Sequence, residues 1–381
     1  MGAQPILFCS HVVEWGGAET VLAVLLAALD RSRFVPHLAC PGTGPLPARA
    51  AKLGATVHDL PIGGRSAWGK ARSVPAAARG LRRIADRIGA RLLYANTMIA
   101  GYAAVLAQRP DLRCLWHLHI VTRSAVARFA VRRAAAVITP SLAGARAIAA
   151  DLAASDRLCV VQNGVAPAFF AGTPTGAGLR AELGVAPTSP LVGIVGRLDP
   201  HKGHEVLLRA VARLPGTGTP CHVVVVGSEV FADSQPRIGG FLATLQKLVA
   251  ELGCAGRVHF LGHRGDLPGL LPQLDVVAVP STMPESAPRA IAEAQAAGCA
   301  VIASAIGGVA ELVADGATGI LVPPGDETAL AQAITVVLAD RGLRARLGGA
   351  ARAHAAANYS LAVFARRIEA VCERVFTTAS A

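Results

Sequence analysis

The sequence predicts an α/β protein of two doubly wound, Rossmann-like parallel-sheet domains facing a central cleft. Three observations predict it. Strand and helix signals alternate through each half of the chain, which implies parallel sheets with helices on both faces. A run of small, flexible residues, Ala171-Gly172-Thr173-Pro174-Thr175-Gly176-Ala177-Gly178, lies between the halves. The length, 381 residues, is enough for two separate cores.

In the first half, short aliphatic and β-branched runs predict strands over 5–10, 36–40, 56–60, 92–96, 114–119, 136–140 and 159–162. Helical patterns fill the gaps, notably 18–29, 74–88 and 141–153. The second half repeats the scheme, with strands over 191–196, 222–227, 258–262, 276–280, 300–303 and 320–322 and a helix over 203–214. Residues 361–376 read as an amphipathic helix carrying Phe364, Ile368, Val371 and Phe376 on or near one face. The organisation expected is a first domain over 1–170, a linker over 171–189, a second domain over 190–360 and a terminal helix over 361–381.

Composition sets limits on function. With 52% hydrophobic residues, 40 Gly and 24 Pro the chain is a packed α/β protein. A mean hydropathy of +0.46 reflects alanine, and no apolar stretch of 18 residues free of charge suggests a spanning helix. The start, Met1 to Pro5, runs into a strand without a basic leader, so no signal peptide is expected. Eight scattered cysteines without a CxxC pair read as buried thiols of a reduced, cytoplasmic protein.

Charge is uneven. Residues 1–170 hold 20 Lys and Arg against 8 Asp and Glu, whereas the remainder balances at 17 against 17. Arg79, Arg82, Arg83, Arg87 and Arg91 fall at nearly helical spacing, and Arg123, Arg128, Arg132 and Arg133 form a second cluster. Solvated helix faces, an anionic membrane surface and nucleic acid all suit basic clusters. Neither cluster interleaves aromatics as a base-stacking surface does, and nucleic acid is the weakest of the three.

The richest segment is Asp275 to Ala294, where Glu285 and Glu293 stand in an E-x7-E spacing behind a strand. Pro280 and Pro284 end that strand; Ser286 or Ala287 is expected to cap the next helix with Pro288 in its first turn. Glu285 then lies at the carboxyl end of a strand and Glu293 on the following helix, the crevice side of an open α/β sheet. The strand at 191–196 delivers Arg197 and Lys202 to a similar loop, near a helix N-terminus. Both features favour anions, and arginine forks onto two phosphate oxygens. Either residue alone also reads as ordinary surface charge. Cations for a diphosphate beside carboxylates for sugar hydroxyls describe a nucleotide-sugar site.

These segments resemble the retaining family 4 glycosyltransferases of the GT-B fold, also called glycosyltransferases group 1. The matching pieces are Gly196-Arg197-Leu198 through Lys202-Gly203, the pair Glu285 and Glu293, and Gly307-Gly308-Val309-Ala310-Glu311 through Gly319 to Asp326. They keep the family's order and cover about residues 190 to 330. A looser likeness in the first half rests on Gly16-Gly17-Ala18-Glu19, His119 and Asn163-Gly164-Val165. The resemblance implies that Arg197 and Lys202 hold the donor diphosphate and stabilise its growing charge. It implies that Glu285 binds hydroxyls of the transferred hexose, that Glu293 binds the ribose, and that Gly307 and Gly308 bring backbone amides against the donor. The incoming hydroxyl would attack on the face the nucleotide leaves.

One departure stands inside the motif. The family carries Phe-Gly two residues after the first glutamate, where this chain has Ala287-Pro288. Proline has no N–H, so a phosphate contact made by that amide is lost, and either the amides of Ala287 and Arg289 or the Arg289 side chain takes it over.

Trp116-His117-Leu118-His119 closes a strand, and alternation puts both imidazoles on one face. A metal pair, a hydrogen-bonded core pair and an active-site histidine are the alternatives. A metal site needs further ligands and no D-x-D occurs in the chain; the resemblance favours His119 for the sugar contact, with His117 possible. Gly262-His263-Arg264 is expected to line the base pocket through its backbone. Gly16 and Gly17 read equally as a tight strand-to-helix turn or as an approach to acceptor or phosphate, and Glu19 as a partner of the helix N-terminus.

The expected activity is hexosyl transfer from a UDP- or GDP-sugar to a glycan or lipid-linked acceptor, without metal or other cofactor, in bacterial polysaccharide or glycolipid synthesis. Peripheral contact with an anionic membrane through the basic first domain is expected, and no nucleic-acid partner. A sugar epimerase or phosphorylase on the same fold, or a non-catalytic sugar-binding protein, are the alternatives. The G-x-G-x-x-G of nicotinamide enzymes and the P-loop are both absent.

Overall fold

The computed structural model describes residues 2–63, 67–122, 124–150, 156–172, 178–214, 220–229 and 240–378, with backbone alone over 67–72 and at 378. The chain divides into two compact units, one of residues 1–164 with 361–381 and one of residues 165–360.

The first unit is built on seven parallel strands: β1 (Gln4–Cys9), β2 (Phe34–Cys40), β3 (Thr56–Asp59), β4 (Leu92–Ala95), β5 (Arg113–His117), β6 (Ala136–Thr139) and β7 (Leu158–Val160). Their order is β3-β2-β1-β4-β5-β6-β7. Strands such as β4 and β6 are buried at every position, as a sheet covered on both faces requires. On one face Leu93, Cys114 and Trp116 pack under the helices Ala67–Ile88, Met98–Ala107 and Ala125–Val131. On the other, Phe8, Tyr94 and Leu115 meet the Gly17–Ala28 helix and the C-terminal Leu361–Thr378 helix. Phe364, Ile368 and Val371 bury that terminal helix in this unit, and Glu369 accepts the Asp30 amide at 2.8 Å.

The second unit has six parallel strands: β8 (Leu191–Val195), β9 (His222–Val226), β10 (Val258–Gly262), β11 (Val276–Val279), β12 (Ala300–Ser304) and β13 (Ile320–Val322). The order β10-β9-β8-β11-β12-β13 reverses direction between β8 and β11. That reversal is the topological switch point, beside whose carboxyl ends ligands bind in open α/β sheets.

The structure corrects several details. Residues 165–170, expected in the first domain, belong to the second unit, where Phe169 is buried. Of the expected linker, 173–177 lie outside the described residues, and 178–189 are anchored rather than loose. Leu179 is buried, and Arg180 pairs with Asp275 at 2.6 Å and reaches the Ser189 carbonyl at 2.9 Å. The helix expected over 74–88 begins at Ala67 and contains Pro75. Strands end a residue or two early, which leaves Asn96, His119 and Gly196 in loops. Arg123 of the second basic cluster, and the end of the helix expected over 141–153, fall outside the described residues.

Candidate functional site

Three loops meet at the carboxyl ends of β8, β11 and β12. The loop after β8 holds Gly196, exposed Arg197 and half-buried Lys202. Buried Asp199 organises it: one carboxylate oxygen takes the His201 amide at 2.9 Å and caps the turn Pro200–Lys202, and the other takes Arg197 Nη2 at 2.8 Å. Arg197 is thus presented at the loop surface by a short buried acid.

The loop after β11 carries Glu285, whose Oε2 pairs with Lys202 Nζ and whose Oε1 accepts the Ser281 hydroxyl. A lysine and a glutamate 83 residues apart in sequence are therefore one element of the site. Backbone contacts fix this register. The Thr282 amide donates to the His201 carbonyl at 2.9 Å, and the Gly308 amide donates to the Glu285 carbonyl at 2.8 Å. Two glycines permit the approach. Gly203 has φ +76° and a Cβ there would lie 1.8 Å from the Pro280 oxygen; Gly307 has φ +56° and a Cβ would lie 2.8 Å from the Glu285 oxygen.

The Gly308 N–H is bound to the protein, so through that amide the Gly307-Gly308 turn helps place Glu285. The helix after Glu285 starts later than expected. Neither Ser286 nor Ala287 caps it; Pro288, extended at ψ 121°, is the N-cap, and the helix is Arg289–Ala296. Proline disfavours helical geometry in the residue before it, which keeps Ala287 out of the helix.

Arg289 pairs with Glu293 one turn further along. The Glu293 side chain is only 7% exposed, against 29% for Arg289. Burial pushes the Glu293 carboxyl above its usual range, while the charge and hydrogen bond of Arg289 pull it back. In this arrangement the Arg289 side chain is engaged with Glu293. At the end of β10, Gly262 accepts the Gly227 amide at 2.8 Å through its carbonyl, and His263 is exposed. The Arg264 side chain is committed to Asp266 at 2.7 Å and to Glu182, as a surface ion network.

His117 and His119 belong to the first unit. Their rings lie 4.0 Å apart between centroids, so both are on one side as alternation requires. His117 Nδ1 meets the Tyr94 hydroxyl at 2.7 Å, and His119 Nε2 meets Asn96 Oδ1 at 3.0 Å. The Asn96 amide nitrogen donates to the Ala18 carbonyl at 3.1 Å, which turns its oxygen to His119. His119 must then carry its proton on Nε2, leaving Nδ1 as an acceptor. Burial lowers the His119 pKa to about 4 and that of His117 well below the ordinary value, so both rings are neutral near pH 7.

Asn96 thereby joins His119 to the first turn of the Gly17–Ala28 helix. Gly16 is its N-cap and Gly17 faces open space, with no atom within 4 Å of a Cβ built there. Glu19 is buried; burial raises its pKa, and hydrogen bonds from backbone at Glu19 and Gly16 oppose the rise. It therefore closes the helix start. Among the described residues no group of three or more His, Cys, Asp or Glu side chains could hold a metal ion.

Sequence reasoning missed Asp199, Ser281, Asn96 and Tyr94. Asp199-Pro200 carries a capping signature that could have flagged the first. Ser281 acts within the loop of Glu285, four residues before it, whereas Asn96 and Tyr94 act across strands and leave no local signal.

A doubly wound unit with paired cations and carboxylates at its switch point suits a ligand that carries both anionic groups and hydroxyls, and comparison with known proteins specifies the family. Residues 178–354 match the family described as glycosyl transferases group 1, and residues 15–169 match glycosyltransferase family 4. The chain belongs to this glycosyltransferase family, whose fold is GT-B. It is 43% identical over 187 residues to a D-inositol 3-phosphate glycosyltransferase of Nocardia farcinica, covering 47% of this chain and 40% of that protein. A Corynebacterium efficiens protein of the same name is 34% identical over 228 residues, covering 58% of this chain and 52% of its own. The chain thus spans about half the length of the curated relatives it matches. Among solved structures, Anabaena HepE in complex with UDP-glucose is 27% identical, with TM-score 0.81 over 97% of this chain and 99% of that one. A sucrose-phosphate synthase of Thermosynechococcus elongatus, 22% identical with TM-score 0.80 over 98% of this chain and 99% of that one, shares the fold.

Proposed function

We propose that this protein is a retaining hexosyltransferase that moves a sugar from a nucleoside diphosphate to a hydroxyl of a glycan or lipid-linked acceptor. The observation that carries the reading is the pairing of Lys202 with Glu285 beside Arg197 at the switch point of the second unit. In the proposed reaction the bond between the anomeric carbon and the diphosphate oxygen breaks, and the acceptor oxygen, giving its proton to the departing diphosphate, bonds to the same carbon on the same face. Arg197 and Lys202 neutralise the charge that gathers on the departing diphosphate, an electrostatic effect that dominates rate enhancement in many enzymes. Glu285, held by Ser281 and by the Gly307-Gly308 turn, accepts hydrogen bonds from the hexose. Glu293, held in place by Arg289, accepts them from the ribose, and His119 offers its Nδ1 acceptor on the first unit.

HepE binds UDP-glucose in its crystal structure, which makes UDP-glucose the first donor to test. The inositol phosphate in the names of the curated relatives makes a phosphorylated polyol a second acceptor class beside glycans and lipids. Two further parts of the reading are that transfer needs no metal and that the protein works on the cytoplasmic face of a membrane carrying its acceptor. No described helix is long and apolar enough to cross a membrane. The test is transfer or hydrolysis of radiolabelled nucleotide sugars with and without chelator, with the anomeric configuration of the product read by NMR. Retention in the presence of chelator is the expected result. Tight nucleotide-sugar binding without turnover under any pairing of donor and acceptor would sink the proposal, and an inverted product would remove the retaining mechanism.

A further inference from the structure

The helical layer Ala67–Ile88, Met98–Ala107 and Ala125–Val131 covers one face of the first unit's sheet, and its outward side has an unusual composition. In the last helix and the turn after it, Ala127, Ala130, Val131 and Ala134 are buried, which is the spacing of one packed helix face. The opposite side should be polar in a solvated helix. Instead Val126 is 65% exposed and Phe129 59% exposed, with Ile120 at 47% in the preceding loop. Arginines surround these apolar side chains: Arg128, Arg132 and Arg133 are exposed, and the Arg133 guanidinium lies 3.8 Å from the centroid of the Phe129 ring.

The neighbouring helices continue the pattern. Arg79, Arg83 and Arg87 are exposed one turn apart along the Ala67–Ile88 helix, and Leu106 at the end of the Met98–Ala107 helix is 48% exposed. These helices form one layer over a common core. The carboxylates beside them, Asp86 and Asp111, both pair with Arg109, so they do not offset the outward arginines. The second unit, residues 165–360, holds 14 Lys and Arg against 15 Asp and Glu and has no counterpart in charge.

Exposed apolar side chains ringed by arginine, on a face whose carboxylates are already engaged, fit one kind of partner. We infer that this layer docks on an anionic lipid bilayer, with Val126, Phe129 and Ile120 entering the headgroup region and the arginines meeting lipid phosphates. A nucleic-acid surface would need stacking aromatics beside the cations, and Phe129 is the one exposed aromatic among the side chains described in this layer. This deepens the proposed function by naming the surface that brings the enzyme to a lipid-linked acceptor, and it rests on that reading.

The experiment is co-sedimentation of the full chain with vesicles of phosphatidylcholine alone, and of phosphatidylcholine with about 30% phosphatidylglycerol, at low and high salt. Wild type is expected to bind the anionic vesicles, to be released by roughly 0.5 M salt and to ignore the neutral ones. The double variant Val126→Asp with Phe129→Asp is expected to bind at least tenfold more weakly, as is Arg79→Glu with Arg83→Glu. Arg341→Glu in the second unit is expected to bind as wild type. Thermal unfolding and hydrolysis of donor by each variant, measured without vesicles, keep the two proposals apart. Normal unfolding and hydrolysis with lost vesicle binding supports the docking face, whereas lost hydrolysis in wild type would strike the function and leave vesicle binding to be judged by itself. Equal binding to neutral vesicles, or unchanged binding by both first-unit variants, would overturn the inference. So would a dimer in sedimentation that the Val126→Asp, Phe129→Asp pair dissolves without any vesicle binding, which would assign the face to a second copy.

Discussion

Arg289→Ala tests how the second unit accommodates a carboxyl group in its interior. Removal of one partner from a fully buried ion pair costs about 3–5 kcal/mol, because the remaining charge is stranded. The Glu293 side chain is 7% exposed but that of Arg289 is 29% exposed, so water screens part of the pair. The expected loss near neutral pH is about 2–3 kcal/mol, or roughly 5–10 °C in the unfolding midpoint of a unit this size.

Its pH dependence identifies the cause. The folded pKa of Glu293 is raised from the ordinary 4.5 by burial and held down by Arg289. A carboxyl whose folded pKa is raised binds more protons folded than unfolded, so it lowers stability as pH climbs from its unfolded pKa through its folded one. Without Arg289 the folded pKa moves further up and that window widens. Thermal melts from pH 4 to 8 are expected to show wild type and variant nearly superposed at the acid end and diverging as pH rises. The Michaelis constant for donor is expected to rise in the variant most at low pH, where Glu293 is protonated, with kcat less affected. A gap constant across pH would refute the reasoning, since lost packing alone carries no proton.

Glu285→Ala and Lys202→Ala are each expected to lower kcat/KM by about 10²-fold or more while circular dichroism and the unfolding midpoint stay near wild type; wild-type turnover in either would remove the site. Gly203→Ala puts a methyl 1.8 Å from the Pro280 oxygen on a backbone at φ +76°, and a loss of about 3 kcal/mol or more is expected in chemical denaturation. His37 with His58, and His222 with His259, face each other across neighbouring strands with ring nitrogens 3.0 Å apart, sharing one proton per pair. Burial lowers all four pKa values, with the facing histidine a further cause at His37 and His222. The unfolded chain then binds more protons, so stability is expected to fall as pH drops below about 6.5. The double variant His37→Gln with His222→Gln should make that limb of a stability–pH profile shallower, the slope that remains coming from buried groups such as His117 and His119.

The sequence by itself determined the strands of both sheets, because buried parallel strands are short aliphatic runs whose identity depends on nearest neighbours. It also determined that Arg197, Lys202 and Glu285 follow strand ends and that Glu293 lies on the next helix, since proline, glycine and β-branched residues punctuate the chain locally. Its boundary at residue 170 gave way to one at 164, because Phe169 and Leu179 bury in the second core, a preference no local pattern carries.

Only the tertiary structure decided which partners the site residues take. Lys202 and Glu285 are 83 residues apart and meet because β8 and β11 are neighbours in the sheet. Gly308 holds Glu285 through its amide, and Asn96 sets the proton of His119, by contacts across loops that sequence spacing does not encode. Glu293 and Arg289 are the instructive case. Their i, i+4 spacing was legible, but the burial that gives the pair its consequence comes from helices and strands distant in sequence closing around it. Local chemistry names the groups, and long-range packing fixes the partners and dielectric that set their charge.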